Sequence, residues 1–216
     1  MPNLIALVTG ASRGLGFASA IALAAQGFHI IALARTSGGL EDLDDIITSA
    51  HGTTTLVPLD ITDESGLQRM AQAVQQRWGK LDLLVHCAAH AAPLAPASQV
   101  NAKDFDKSWA INVKATLSLI AATEDLLRAG KGLAVFIDDP RAGQAFTAAY
   151  GASKLAQKAI ATAWQGECTR LGPKVTFFTP SPMPTALRAR FHPGEDRAKL
   201  ASCENEAARL LAQITA

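Results

Sequence analysis

The clearest indication of the fold is residues 4–16, which read LIALVTGASRGLG. Their short apolar run, Leu4–Val8, is typical of a buried strand. The alanine-rich stretch Gly14–Gln26 that follows has helical spacing, and Gly27 ends it. Glycines between a strand and a helix let a phosphate group approach the backbone at the positive end of the helix dipole. The sequence therefore predicts nucleotide binding at residues 9–16, and the alternative is a tight turn without a ligand.

The same alternation of short apolar runs and longer amphipathic runs continues along the chain. Further strands are predicted at residues 29–34, 53–59, 81–87, 133–137 and 175–179. Further helices are predicted at residues 40–50, 63–78 with Thr62 as N-cap, 102–129 as one helix or two, 148–171 and 204–214. This alternation requires right-handed crossovers and a parallel sheet covered on both faces. The predicted fold class is therefore α/β, a doubly wound parallel sheet of the Rossmann type, with six strands in the order 3-2-1-4-5-6.

The length and the pattern predict one domain, residues 1–216, with a short lid at about residues 181–203. The stretch from Pro180 to Cys203 has four prolines and no clear period, which is typical of a lid or a mobile segment. Its basic residues either bind an anion or form a solvated face; they are Arg188, Arg190, His192, Arg197 and Lys199.

Composition restricts the class of protein. Hydrophobic residues make up 49 % of the chain, as expected for a folded globule. Lys and Arg total 20 and Asp and Glu 19, a net charge of +1 that argues against nucleic acid or an anionic membrane as partner. The three cysteines match no zinc or disulfide spacing, so we expect reduced thiols and no metal site. Leu4–Val8 is too short for a signal peptide or a membrane span, so a soluble, cytoplasmic protein is expected.

Several motifs follow one another in an informative order. The turn after the first strand has the spacing Thr-Gly-x-x-x-Gly-x-Gly, with three residues between Gly10 and Gly14. The later motifs are Asp60-Ile61, His86-Cys87-Ala88-Ala89, Asn112, Tyr150-x-x-x-Lys154, Pro180-Ser181 and Thr185. Together they resemble the short-chain dehydrogenase/reductase family from about Leu4 to about Ile214. The resemblance implies an NAD(P)-dependent oxidoreductase that interconverts a carbonyl and an alcohol on a small molecule.

Tyr150 and Lys154 are the expected catalytic pair. A spacing of four residues places both side chains on one face of a helix. A nearby lysine ammonium favours the phenolate, so it is expected to lower the tyrosine pKa. The resemblance implies that Tyr150 exchanges a proton with the substrate oxygen, that Lys154 also holds the nicotinamide ribose, and that Asn112 supports the lysine through a water.

The chain departs from the family where a serine usually follows the fifth strand. Asp138 and Asp139 stand there, and Asp139 is the one expected to face the pocket as a catalytic residue. An ionised carboxylate only accepts hydrogen bonds and would raise the Tyr150 pKa. A protonated one could donate to the substrate, and an ionised one could instead pair with Arg141, Lys154 or a cationic substrate.

This departure leaves two functions open. One is an active oxidoreductase. The other is a catalytically impaired protein of the same fold that binds the cofactor for a regulatory or interaction role. The second is favoured by the altered turn at residues 86–89, where Ala88 alone is retained, and by Ser181 in place of a glycine.

The end of the second strand predicts the cofactor. It reads Leu33-Ala34-Arg35-Thr36 and lacks the carboxylate that binds a ribose 2′-hydroxyl. Arg35 and Arg13 can clamp a 2′-phosphate, so NADP(H) is preferred and NAD(H) is the alternative. The residues predicted to bind the cofactor are Gly10, Ser12, Arg13, Gly14, Leu15, Gly16, Arg35, Thr36, Asp60, Ile61, His86, Ala88, Tyr150, Lys154, Pro180, Met183 and Thr185.

The last helix bears on assembly. Ala216 follows it almost at once, so the seventh strand that many family members add is expected to be missing. The remaining surface for a homodimer is on the long helices near Asn112 and Lys158.

Overall fold

The structure, a computed structural model, describes residues 4–170 and 172–215. Its strands are β1 (Leu4–Thr9), β2 (Phe28–Ala34), β3 (Thr53–Pro58), β4 (Leu83–His86), β5 (Leu133–Ile137) and β6 (Lys174–Phe178). In this part of the chain they form one parallel sheet of six strands in the order β3-β2-β1-β4-β5-β6. The predicted fold class and strand order are confirmed.

Helices connect the strands. They are α1 (Gly14–Ala25), α2 (Ser37–Ser49), α3 (Glu64–Trp78), α4 (Ala102–Trp109), α5 (Ala115–Gly130), α6 (Ala148–Glu167), α7 (Ala186–Phe191) and α8 (Cys203–Thr215). A π-helical turn, Ala110–Lys114, separates α4 from α5 inside the predicted helix 102–129. The predicted end of α6 at Leu171 lies outside the described residues. None of the described helices is both long and apolar enough to cross a membrane.

Two local predictions need correction. The N-cap of α3 is Asp63 rather than Thr62, because the Asp63 carboxylate accepts a hydrogen bond from the Gly66 amide at 2.9 Å. The Thr62 hydroxyl instead donates to Asp60 at 2.8 Å. The stretch predicted as irregular after Pro180 contains α7, whose six residues are too few to produce a visible period.

The core lies on both faces of the sheet. Ile5 and Leu7 of β1 pack on one face with apolar residues of α3, α5 and α6. Ala6 and Val8, which alternate with them, pack on the other face with α1, α2 and α8. Burial on both faces explains why the strands read as continuous apolar runs.

A large cavity opens at the carboxyl ends of the strands. The connections from β1 and β4 leave on opposite faces of the sheet, and this arrangement creates a crevice between the two strands. The cavity has a volume of about 980 Å³ and is lined by the turn after β1, the ends of β2, β4 and β5, and the segment after β6. Most of the candidate site residues line this cavity.

Candidate active site

The turn after β1 depends on glycine at two positions. Gly10 has a φ of +68°, and a Cβ on it would lie 2.9 Å from the Ala88 amide nitrogen. A Cβ on Gly16 would lie 2.4 Å from the Gly10 carbonyl oxygen. The turn, the start of α1 and the end of β4 therefore approach too closely for any side chain. Gly14 also has a positive φ, +61°, but its Cβ position is less crowded, because the nearest described atom is Thr185 Cγ2 at 3.4 Å.

The start of α1 offers hydrogen-bond donors to the cavity. Arg13 is the N-cap residue and makes no side-chain capping bond with the described residues. The first amides of a helix have no partner within the helix, and they lie at the positive end of its dipole. Since Ser12, Arg13, Gly14, Leu15 and Gly16 all line the cavity, this cradle fits the pyrophosphate of a dinucleotide.

A second group of predicted residues lines the far end of the cavity. Arg35 and Thr36 lie after β2, and Asp60 and Ile61 lie after β3. Nη1 of Arg35 is 3.7 Å from Oδ2 of Asp60, and both side chains are about half exposed. An exposed pair this loose is weak, so the guanidinium remains available to a ligand. Thr36, the N-cap of α2, makes no side-chain capping bond with the described residues, so that helix start is also open.

Tyr150 is held by a carboxylate. Its hydroxyl donates to Oδ2 of Asp139 at 3.0 Å, and Nε of Arg141 donates to Oδ1 of Asp139 at 3.0 Å. Asp138 also lines the cavity, but its carboxylate pairs with Lys158 at 2.6 Å. Because both Asp139 oxygens accept hydrogen bonds, and one of these comes from a guanidinium, the geometry favours the ionised carboxylate paired with Arg141 over the protonated donor.

The pKa of Tyr150 is raised well above its ordinary value. Burial is the main cause, since the residue is 3 % exposed, and the Asp139 carboxylate adds to it. The expectation that Lys154 lowers this pKa is wrong for this arrangement, whereas the expected effect of the carboxylate is confirmed. The hydroxyl is therefore protonated at neutral pH.

Lys154 belongs to a buried network of hydrogen bonds. Its ammonium donates to the Ile137 carbonyl at 2.6 Å and to Oε1 of Gln157. Gln157 Nε2 donates in turn to the Thr116 hydroxyl at 2.9 Å. Burial lowers the pKa of Lys154 to about 8, against the opposing effect of Asp139. The ammonium is thus charged at neutral pH and loses its charge only moderately above it.

The His86 side chain lies at the other end of this hydrogen-bond network and does not face the cavity. Its ring nitrogens bond the hydroxyls of Thr9 at 2.8 Å and Thr116 at 3.2 Å, and the residue is 1 % exposed. Burial lowers its pKa to about 3, so the imidazole is neutral. The structure therefore does not bring the His86 side chain to the predicted cofactor surface, although Ala88 lines the cavity.

Asn112 lies in the π-helical turn and is buried. Its Oδ1 accepts from the His90 amide at 2.8 Å, and its Nδ2 donates to the His90 carbonyl at 2.9 Å and to the Ser153 hydroxyl at 2.9 Å. One side chain thereby joins the loop after β4 to α6, next to Lys154. Asn112 is in position to orient the catalytic helix, and its side chain does not reach the cavity wall.

The segment after β6 covers Tyr150. The ring of Phe191, the last residue of α7, packs on the Tyr150 ring with 5.0 Å between centroids. The Arg141 guanidinium lies over the Phe191 ring, 4.5 Å from its centroid. Arg188 forms two hydrogen bonds with Glu195, at 2.5 and 2.6 Å, which closes the segment on itself. Pro180, Met183 and Thr185 of this region, which are predicted to bind the cofactor, line the cavity.

The sequence reasoning missed several residues of the site. His90, Lys107 and Ala91 line the cavity, and Gln157 and Thr116 support Lys154. His90 directly follows the motif of residues 86–89, so its place in the chain could have revealed it. Gln157 lies three residues after Lys154, a spacing that brings two helical side chains together.

Comparison with known proteins gives one consistent result. Residues 4–196 match the sequence profile of the short chain dehydrogenase family. D-threitol dehydrogenase of Mycolicibacterium smegmatis is 34 % identical over 174 residues, which is 77 % of this chain and 66 % of that enzyme. The match therefore spans just under two thirds of the length of that relative.

Comparison with solved structures gives the same result as the sequence comparison. A protein from Pseudomonas syringae described as a short chain dehydrogenase superposes with a TM-score of 0.87 at 30 % identity, covering 94 % of this chain and 85 % of that one. Another, from Shigella flexneri and complexed with NADP, gives 0.87 at 29 % identity, covering 94 % and 87 %. The chain belongs to the short-chain dehydrogenase/reductase family, whose members are NAD(P)-dependent oxidoreductases.

Proposed function

We propose that the protein reduces a carbonyl group on a small molecule to an alcohol, with NADPH as the preferred cofactor. The observation that carries the proposal is the shared cavity: Tyr150 and Lys154 line the same space as the open N-terminus of α1. A bound nicotinamide cofactor supplies the hydride in this chemistry. The chain itself has to bind the cofactor, orient the substrate oxygen and deliver a proton.

Tyr150 is the proposed proton donor. Its raised pKa keeps the proton on the hydroxyl at neutral pH, as an acid requires. To react, the hydroxyl turns from Asp139 to the substrate oxygen. The resulting phenolate lies beside the Asp139 carboxylate, and the Lys154 ammonium supplies the balancing charge on the same helix. Repulsion between phenolate and carboxylate raises the pKa of Tyr150, which makes the hydroxyl a weaker acid but leaves very little of the phenolate that oxidation needs at neutral pH.

Two arginines support the preference for NADP(H). Arg35 lies at the end of β2 and Arg13 in the glycine turn, and both line the cavity. The open start of α2 directly follows Arg35 along the chain, so the two arginines and this helix start offer charge and amide donors to a 2′-phosphate. The complex of the Shigella flexneri relative with NADP supports the same assignment.

A cofactor-binding protein without turnover is the second candidate. It is favoured by the Tyr150–Asp139 hydrogen bond, because the expected acid is already bound to a carboxylate where relatives have a serine. The test is NADPH oxidation over a panel of aldehydes, ketones and oxo acids, beside cofactor binding measured by thermal shift. Turnover with any carbonyl supports the reductase, and binding with none supports the second candidate.

We further propose one domain in which residues 181–203 act as the lid, and a homodimer formed through α5 and α6. Leu117 on α5 and Leu155 on α6 are 52 % and 57 % exposed, which suits an apolar interface. Sedimentation of the protein and of Leu155→Glu tests this assembly, since a monomeric parent contradicts it.

The cysteines Cys87, Cys168 and Cys203 are free thiols, which supports the expected cytoplasmic location. Cell fractionation would contradict that location by recovering the protein outside the cytoplasm.

A further inference from the structure

Three residues form a group that the reaction described above does not use. His90 follows β4, Lys107 lies on α4, and Arg190 lies on α7, and all three line the cavity. We call them the basic rim. They come from separate elements, and Lys107 and Arg190 are both close enough to His90 to lower its pKa.

The basic rim is not neutralised by the protein. Two other arginines of the cavity wall are paired, Arg141 with Asp139 and Arg188 with Glu195. Within residues 4–170 and 172–215, neither Lys107 nor Arg190 forms an ion pair. The positive charge of the rim is therefore free to act on a ligand in the cavity.

His90 gives an independent indication of a ligand. Its Nε2 is buried and has no hydrogen-bond partner among the described residues. Asn112 fixes the His90 backbone through both its amide and its carbonyl, so the position of this residue in the loop after β4 is well defined. Burial, followed by Lys107 and Arg190, lowers the pKa of His90, and Asp104 acts in the opposite direction and less strongly. A neutral imidazole with an unsatisfied buried nitrogen is suited to donate one hydrogen bond to a ligand oxygen.

The rim lies close to the reacting group. Nη1 of Arg190 donates to the Ala91 carbonyl at 2.9 Å, which fixes the guanidinium and leaves its other N–H groups available. Ala91 itself packs against Tyr150 and Phe191 in one apolar cluster. Arg190 of the rim is thus connected to the Tyr150 side chain through Ala91.

We propose that the substrate carries a carboxylate near its carbonyl group, so that the protein reduces a short oxo acid. Arg190 and Lys107 attract the carboxylate, and Nε2 of His90 donates a hydrogen bond to one of its oxygens. The proposal rests on the carbonyl reduction proposed above. The paired charges of Asp139 and Arg141 cancel, so they do not repel this anion.

The test compares pyruvate, acetoacetate and levulinate with their methyl esters, which keep the carbonyl and lose the charge. In the parent protein the acid should exceed its ester in kcat/KM by about tenfold or more for at least one pair, as expected for a charge-assisted hydrogen bond. Arg190→Met and His90→Phe should each lower kcat/KM for the acid more than for its ester, so that the preference for the acid falls by a similar factor. Lys103→Met is the matched control, because Lys103 is exposed on α4 and does not line the cavity.

Calorimetric titration of the same acids separates this inference from the proposed function. The acids are added to the protein with and without NADP⁺. Binding that Arg190→Met weakens about tenfold, in a protein that turns over no substrate, would support the anion site and contradict the reductase. Turnover of esters as efficient as turnover of acids, or acid binding unchanged in Arg190→Met, would overturn the anion site and leave the reductase standing. An absence of acid binding in the parent would overturn it as well.

Discussion

The hydroxyl of Tyr150 donates to Oδ2 of Asp139 at 3.0 Å, so the expected proton donor of the site is bound to a carboxylate. The other oxygen of this carboxylate is held by Arg141, which fixes its orientation. Replacement of a serine by an aspartate therefore changes more than one hydrogen bond. It also changes the pH at which the tyrosine can lose its proton.

The first prediction concerns Asp139→Asn. Alcohol oxidation needs a deprotonated tyrosine, so its rate rises as pH rises through the Tyr150 pKa, which burial and Asp139 hold well above the ordinary value. The amide keeps an acceptor and removes the charge, so the rise should move to lower pH. The measurement is kcat/KM for oxidation against pH. Asp138→Asn is the control and should shift the profile less, because Asp138 acts more weakly on Tyr150.

Asp139→Ser should give the same direction of shift and also restore a hydroxyl that can donate to the substrate oxygen. Loss of such a donor typically reduces rates about a hundredfold, so a clear gain in reduction is expected. An unchanged pH profile in both Asp139 variants would show that the carboxylate does not control Tyr150.

The second prediction concerns Gln157, which accepts a hydrogen bond from the Lys154 ammonium. If the charged lysine is required, kcat/KM for carbonyl reduction falls as pH rises through its pKa of about 8. Gln157→Glu places a negative charge beside the ammonium, so this fall should move up by about one pH unit or more. Gln157→Leu should move the fall downward and reduce the rate about tenfold. Identical alkaline limbs in the parent and both variants would rule out this positioning role.

The third prediction concerns cofactor choice. Arg35→Gln should weaken NADPH binding about tenfold and leave NADH binding unchanged, because only NADPH carries the 2′-phosphate that the guanidinium can bind. Dissociation constants from nucleotide fluorescence decide this. Arg69→Gln serves as control, since Arg69 is an exposed arginine of α3 that does not line the cavity. Equal losses for both nucleotides, or tighter NADH binding by the parent, would contradict the preference.

The fourth prediction separates binding from stability in the glycine turn. Gly14→Ala should weaken cofactor binding at least about tenfold. It should lower the unfolding free energy by only about 1–2 kcal/mol, which is the strain of an alanine in the left-handed backbone conformation. Gly16→Ala should lower the unfolding free energy more, because its Cβ would lie 2.4 Å from the Gly10 carbonyl oxygen. Gly166 has open space at its Cβ, so Gly166→Ala controls for the substitution itself. Thermal unfolding with and without NADP⁺ measures both effects, and unchanged affinity in Gly14→Ala would exclude phosphate binding here.

The sequence was sufficient for the sheet because strands buried on both faces are continuous apolar runs, and β5 begins and ends at the predicted residues. It was not sufficient for α7, which is too short to show a period. The glycine turn and Tyr150 could be located because a local spacing carries each of them. The surroundings of His86 could not, because its partners Thr9 and Thr116 come from distant parts of the chain.

The direction in which the Tyr150 pKa shifts also could not be predicted from local spacing. Spacing places Lys154 on the same helical face and suggests a lowered value, whereas burial and Asp139 together raise it. Burial at a cavity closed by a segment from another part of the chain is not encoded in local spacing. The choice of Asp139 over Asp138 as the neighbour of Tyr150 did follow from position, and the structure places the two carboxylates accordingly.

The contact between Phe191 and Tyr150 has a consequence for which step limits the rate of turnover. Because the Phe191 ring packs on the buried Tyr150, we expect α7 to move aside when a small molecule arrives or departs, and such motions often limit the rate of enzymes. A cycle paced by this motion is insensitive to the mass of the transferred hydrogen, so deuterium on the cofactor should slow the parent protein little. Phe191→Ala removes the cover and should expose the chemical step, making the same isotope substitution clearly visible in kcat.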